Sequence, residues 1–272
     1  MTKELDFNKS EQYSLSIRLS TDGFSFSIYN PISGNDFYSR TYPVNTQRSM
    51  AANVKSFLAA TDELKYKFKQ TNILIHSQRY TIMPLDIFED EYMEKVFYQN
   101  IRERNNEIVL CNTLRNSNSV VIFSIDKLTH VFLSEQFPQC RFFSSISPQI
   151  EYLTIKSRTG NTKKIYLNIN DGNIDVIALD NGRLLLANTY SSPSVNDINY
   201  FVLNIWQQAN FNQERDELYI TGSKEIKKRI ITELQKYICH IYIINPQSEF
   251  NNSAITKIED IPFDVQTLIL CE

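Results

Sequence analysis

The sequence predicts an α/β protein in which one strand and helix unit is used twice, and three observations lead there. Two stretches that alternate apolar and polar residues around Asp-Gly, Ile17 to Ile28 and Leu167 to Ile177, sit half a chain apart, with Asp171 149 positions after Asp22. Each is followed by a second turn and a third strand, ending in Thr41-Tyr42 and Thr189-Tyr190. Each then continues as a stripe at helical period, a short apolar run and a second helical stripe, so that the order βββαβα occurs twice.

Asp-Gly accepts the positive φ of a tight hairpin, which makes each alternating stretch two antiparallel strands. The second turns are Ser33-Gly34-Asn35 and Asp180-Asn181-Gly182. The first helix of each copy is marked by Met50, Val54, Phe57, Leu58, Thr61 and Leu64, and by Val195, Ile198, Val202, Ile205, Trp206 and Ala209. Ser192 as cap with Pro193 at the first helical position is the expected start of the second of these. The short strands are Asn72 to His76 and Glu217 to Thr221. The closing helices are expected on Met93, Val96, Phe97 and Ile101, after the acidic run Asp86, Glu89, Asp90 and Glu91, and on Ile226, Ile230, Leu234 and Ile238.

The first copy carries more than the second. Ile108 to Leu114 and Ser119 to Ile125 form a hairpin, Asp126 caps a helix with Leu128, Val131 and Phe132 on one side, and Arg141 to Ile146 is a strand before a short helix from Ser147-Pro148 to Leu153. These elements are expected as a small extra α/β subdomain at about 104–147. The polar stretch Lys156 to Lys164 divides the chain into lobes 1–158 and 159–272.

Bulk properties exclude several classes. The chain has 272 residues, 42% hydrophobic and 22% charged, enough for its own core without disulfides or metal. Its net charge of -3 gives no positive field for nucleic acid or an anionic membrane. No run of 18 apolar residues and no leader-like start occurs, so no membrane insertion and a cytoplasmic location are expected. Cys111, Cys140, Cys239 and Cys271 form no C-x-x-C pair and read as free thiols. His76, His130 and His240 are tied to no nucleophile by spacing and read as structural imidazoles. Lys224, Lys227, Lys228 and Arg229 read as a solvated helix face, and Phe137, Phe142 and Phe143 as core.

Two βββαβα lobes facing a cleft resemble the actin-like, ribonuclease-H-like superfamily. The first-half subdomain, the run Leu218-Tyr219-Ile220-Thr221-Gly222-Ser223 and the stretch to Ile244-Asn245-Pro246 resemble the cytoplasmic actin-like proteins of pilus assembly and type II secretion. Near its full length the chain is similar to a family of Bacteroidetes proteins of unknown function with that fold. A composition low in Gly and rich in Asn, Ile and Tyr fits such a source.

In active members of the superfamily, ATP lies between the lobes with its phosphates on two hairpins. The resemblance implies that the matching positions here are Asp22 and Gly23, Asp171 and Gly172, and, for the adenosine-contacting turn, Gly222 and Ser223. Glycine lets a backbone approach phosphate, yet the chain has only six glycines, Phe24 and Ile174 follow the hairpins, and neither G-x-x-x-x-G-K-[ST] nor G-x-G-x-x-G occurs. A two-metal nuclease would need carboxylates grouped on the early strands, where Ser, Arg and Asn stand. The expectation is therefore a vestigial nucleotide site with no catalytic residue, metal or cofactor, in a protein that binds another protein within a cytoplasmic assembly. The alternative is an ATP-binding protein, a weak ATPase or kinase-like enzyme, holding ATP with Mg through the same six residues.

Overall fold

Strict alternation puts Leu15, Ile17 and Leu19 on one side of β1 (Ser14–Leu19), where they meet Ile28, Phe26 and Phe24 of β2 (Phe24–Tyr29) across an antiparallel ladder. The computed structural model describes residues 5–31, 37–170, 172–222, 224–245 and 261–270. They fall in two compact units, the first within 1–113, 120–145 and 252–261, the second within 114–119, 146–251 and 262–272.

In the first unit β3 (Phe37–Tyr42) completes the meander. α1 (Met50–Ala60), capped by Ser49 accepting from the Ala52 N–H, lays Phe57 against Phe24, Phe26 and Tyr42. β4 (Gln70–Ile75) returns parallel to β1. The chain then leaves the sheet for a satellite layer of β5 (Tyr80–Pro84), α2 (Met93–Asn100), β6 (Glu107–Leu114) and β7 (Ser119–Asp126), in strand order β5-β7-β6. It comes back through α3 (Lys127–Gln136), packed on α1, to β8 (Arg141–Ser144), parallel to β4. The main sheet runs β3-β2-β1-β4-β8.

The second unit repeats this order. α4 (Ile146–Ser157) leads into β9 (Lys163–Asn170), β10 (Asn173–Asp180) and β11 (Arg183–Ser191), followed by α5 (Val195–Gln208), β12 (Glu217–Thr221), α6 (Lys224–Leu234), β13 (His240–Ile243) and α7 (Phe263–Leu270). Its sheet runs β11-β10-β9-β12-β13. One face packs Ile165, Leu167, Ile174, Val176, Leu218 and Ile220 on α5 and α6. α4 lies against β9, β10 and β11, with α7 beside it. The Asp180-Asn181-Gly182 turn has positive φ at both central residues, 47° and 86°, as a hairpin matching the strand twist requires. Its expected counterpart, Ser33-Gly34-Asn35, lies outside the described residues.

Several elements depart from the sequence reading. The helix at 93–100 does not close the first copy: Met93, Val96 and Phe97 build the satellite core with Val109, Val120 and Ile122. The place of α6 is taken in the first unit by α3, whose buried residues are Thr129 and Leu133, while Leu128 and Val131 are exposed. Two apolar helices follow β4 in the sequence, and periodicity does not say which one returns to the sheet. The additional layer therefore spans β5 to β7, and β8 of the expected extra subdomain belongs to the main sheet. α5 is capped by Ser194 rather than Ser192, in a reciprocal box with Asp197.

Two polar contacts fix the satellite layer. Asn112 on β6 acts as a one-residue strand along β8: its Nδ2 donates to the Phe142 carbonyl (2.9 Å) and its Oδ1 accepts from the Ser144 N–H (2.9 Å). Asn112→Asp puts an acceptor against that carbonyl, and a loss of about 1–3 kcal/mol in chemical denaturation is expected. Arg79 donates through Nη2 to Glu107 Oε1 (2.7 Å) and to the Arg102 carbonyl (2.9 Å), and through Nε to Glu107 Oε2 (3.2 Å). Burial alone pushes the Glu107 carboxyl up, but the hydrogen bonds from Arg79 and Ser124 and the guanidinium charge outweigh it and hold it below the usual carboxylate range.

Candidate functional site

The first hairpin turn, Ser20 to Gly23, closes on itself. The Ser20 N–H donates to the Gly23 carbonyl (3.2 Å), the Asp22 N–H to Ser20 Oγ (3.3 Å), and Ser20 Oγ to the Asp22 carboxylate (3.4 Å). Asp22 thus behaves as a turn residue tied to the hydroxyl two positions back. Gly23 is under no steric demand, since a Cβ there would lie in ordinary contact, 3.7 Å from the Tyr42 carbonyl oxygen.

The ladders also show that the two Asp-Gly pairs are out of step. Leu19 pairs with Phe24 and Ile169 with Ile174, and four residues separate each pair. Counted from these, Asp22 takes the place of Gly172 and Thr21 that of Asp171. The dipeptides that revealed the repeat are shifted by one position within it.

In the second unit Gly172 and Gly222 come to the carboxyl ends of neighbouring strands, since β12 pairs Thr221 with Asn168 of β9. Open α/β sheets present their sites at this end. Gly172 has φ +72°, and a Cβ added to it would meet nothing within 4 Å, so the glycine answers a turn requirement alone. Gly222 has φ +128°, and a Cβ there would sit 2.7 Å from the Ile169 carbonyl oxygen and 2.8 Å from Ile169 Cβ. Its missing side chain is needed for packing of the turn on β9. Asp171 and Ser223 lie outside the described residues.

Beside the second hairpin is a cluster the sequence reading missed. Asp175, 1% exposed, accepts on Oδ2 from Gln149 Nε2 (3.1 Å), Asn168 Nδ2 (3.1 Å) and Asn170 Nδ2 (3.2 Å), and on Oδ1 from the Thr189 hydroxyl (2.8 Å). Asn170 is the last residue of β9, so the carboxylate fixes the hairpin from below. The signal in the sequence is an acid flanked by Ile174 and by Val176-Ile177-Ala178-Leu179, in a strand buried on both faces. In the first unit the matching position is Ser25.

The corresponding end of the first sheet has its own polar pair. Nδ1 of His76 lies 3.0 Å from Ser145 Oγ, both buried, and the His76 and Ser145 N–H groups continue the ladders to Leu19 and Ile75. This agrees with a structural imidazole. Among the described residues no group of three or more His, Cys, Asp or Glu is placed to hold a metal ion, and no helix is long and apolar enough to cross a membrane. Cys111, Cys140 and Cys239 are free thiols, and Phe137 is buried.

Duplicated meanders, each with a parallel return strand and a second parallel edge strand, define the actin-like ATPase fold. A Bacteroides thetaiotaomicron protein with actin-like ATPase fold and unknown function matches at 45% identity, over 99% of this chain and 100% of that one, with a TM-score of 0.89. The chain belongs to the family of proteins of unknown function DUF3822, whose model matches residues 2–241. A chain of the PilM-PilN type IV pilus biogenesis complex shares the fold at 11% identity, over 95% of this chain and 98% of that one, with a TM-score of 0.55. A weaker likeness, TM-score 0.47 at 8% identity over 94% of this chain and 89% of that one, is to the ethanolamine utilization protein EutJ from Carboxydothermus hydrogenoformans. No curated protein matches the chain.

Proposed function

We propose that this actin-like protein is non-catalytic and works in a cytoplasmic assembly by binding another protein. The observation that carries the reading is the first hairpin, whose Asp22 N–H and carboxylate are both engaged by Ser20. A triphosphate needs several backbone amides turned outward together, and this turn spends one of them on its own serine. Gly222 supports the same reading, because its bare Cα serves the contact with Ile169. The pilus neighbour comes from a two-protein complex, which makes partner binding compatible with the scaffold, though fold alone assigns no function.

Millimolar Mg-ATP is expected to leave the thermal transition unchanged. A ligand at a hundred times its Kd that binds only the folded state would add about 2.7 kcal/mol and move the transition by several degrees. A shift that disappears in Asp171→Ala would replace this reading with the ATP-binding one, with Mg and nucleotide held at Asp22, Gly23, Asp171, Gly172, Gly222 and Ser223.

A further inference from the structure

Ile87 is the most exposed large apolar side chain among the described residues, at 67%, and Tyr92 is 51% exposed. They stand in two 3-10 turns, Leu85–Ile87 and Asp90–Tyr92, between β5 and α2. Their neighbours Leu85, Phe88 and Met93 pack into the satellite core. The turns are thus anchored on one side and hold Ile87 and Tyr92 outward on the other. Single exposed apolar residues are ordinary on a protein surface, and what distinguishes these two is the anchored segment that carries both and the charge of that segment.

The charge around this pair chooses the occupant. Between Phe88 and Lys95 stand the exposed Glu89, Asp90, Glu91 and Glu94 against the single cation Lys95, in a chain whose whole net charge is only -3. The Tyr92 ring already has an ammonium beside it, Lys95 Nζ at 6.0 Å from its centroid. Nucleic acid and anionic membrane are repelled by this field, and a second copy in a two-fold contact would bring the same negative surface to meet it. A cationic segment with apolar side chains satisfies both the exposed carbons and the carboxylates.

We propose that Ile87 and Tyr92 anchor a basic, apolar-bearing segment of a partner protein, steered by the surrounding carboxylates. The inference deepens the protein-binding reading and rests on it. The probes are labelled amphipathic peptides, one of leucine and lysine, one of leucine and glutamate and one of serine and lysine, titrated into the full chain by fluorescence anisotropy. The leucine-lysine peptide is expected to bind and the other two to bind at least about tenfold more weakly. Ile87→Ser with Tyr92→Ala, and separately Glu89→Lys with Glu91→Lys, are each expected to weaken it about tenfold or more, the second pair also flattening its salt dependence. Tyr200→Ser, an equally exposed site on the second unit, is expected to change nothing.

All these positions are exposed, so thermal melts should match wild type and separate lost binding from lost folding. Equal affinity of the variants, or equal binding of the serine-lysine peptide, overturns the inference. Native pull-down separates it from its premise. A partner recovered by wild type and equally by the Ile87→Ser, Tyr92→Ala protein overturns the docking surface and leaves protein binding standing. No specific partner for wild type overturns both.

Discussion

Asp175→Ala is expected to lower the unfolding free energy by about 4 kcal/mol, because four donors lose their acceptor inside the second unit at once. Each orphaned buried donor costs about 1–3 kcal/mol, and partial rotation of the side chains recovers some of the sum. Asp175→Asn should cost far less, about 1–2 kcal/mol. Its carbonyl can stand where Oδ2 accepts three amides, and its NH2 can face the Thr189 hydroxyl, which is able to accept instead of donate. What the asparagine lacks is charge assistance, which roughly doubles the strength of such bonds. Urea denaturation reads both values, with an unchanged slope expected. An alanine variant within about 1 kcal/mol of wild type would mean that the four side chains find other partners, and that the carboxylate does not set the hairpin.

Period and punctuation make most of the architecture legible in the chain itself. Apolar alternation around Asp-Gly and Asn-Gly locates both meanders, and helical stripes locate α1, α5 and α6. The boundaries of β6, β7, β9 and β10 fall within a few residues of the expected ones. What alternation does not encode is partner choice. β5 is a five-residue strand that ends in Pro84, which reads equally well as a helix start, β13 has four residues, and α7 stands apart from both repeats; alternation and period alone predict none of them. The assignment of α2 to the first repeat fails for the same reason. Its stripe of Met93, Val96 and Phe97 is genuine, but a stripe does not say whether it covers the five-stranded sheet or the three-stranded one.

The candidate site is less legible than the fold. Matching the copies by their Asp-Gly dipeptides aligns residues that the ladders place one step apart, because a turn residue follows local backbone geometry and not the register of the sheet behind it. Asp175 escapes notice for a related reason. Its counterpart is Ser25, so comparing the halves offers no acid to match; Asn168 and Thr189 become its neighbours only through the strand register, with Asn170 two residues along β9, and Gln149 only through α4 folding over β10.

Gly222→Ala is the change that separates a glycine kept for packing from one kept for a ligand. A side chain at φ +128° carries about 1–3 kcal/mol of backbone strain, and the new Cβ must also displace the Ile169 backbone, for about 1–3 kcal/mol more. The expected loss is about 4 kcal/mol, with the carboxyl-end turn of β12 losing amide protection first in hydrogen exchange. Gly172→Ala provides the contrast: its φ of +72° is strained but its surroundings are open, so about 1–2 kcal/mol is expected and no neighbour should move. If Gly222 served mainly to let a nucleotide approach, alanine would cost no more than the backbone strain, about 1–3 kcal/mol, and abolish a Mg-ATP shift. If it serves the contact with Ile169, stability falls by the whole of the expected loss with no nucleotide present. The first unit supports the second outcome, because Ile75 fills the corresponding position beside Leu19, where the strand continues without a positive φ.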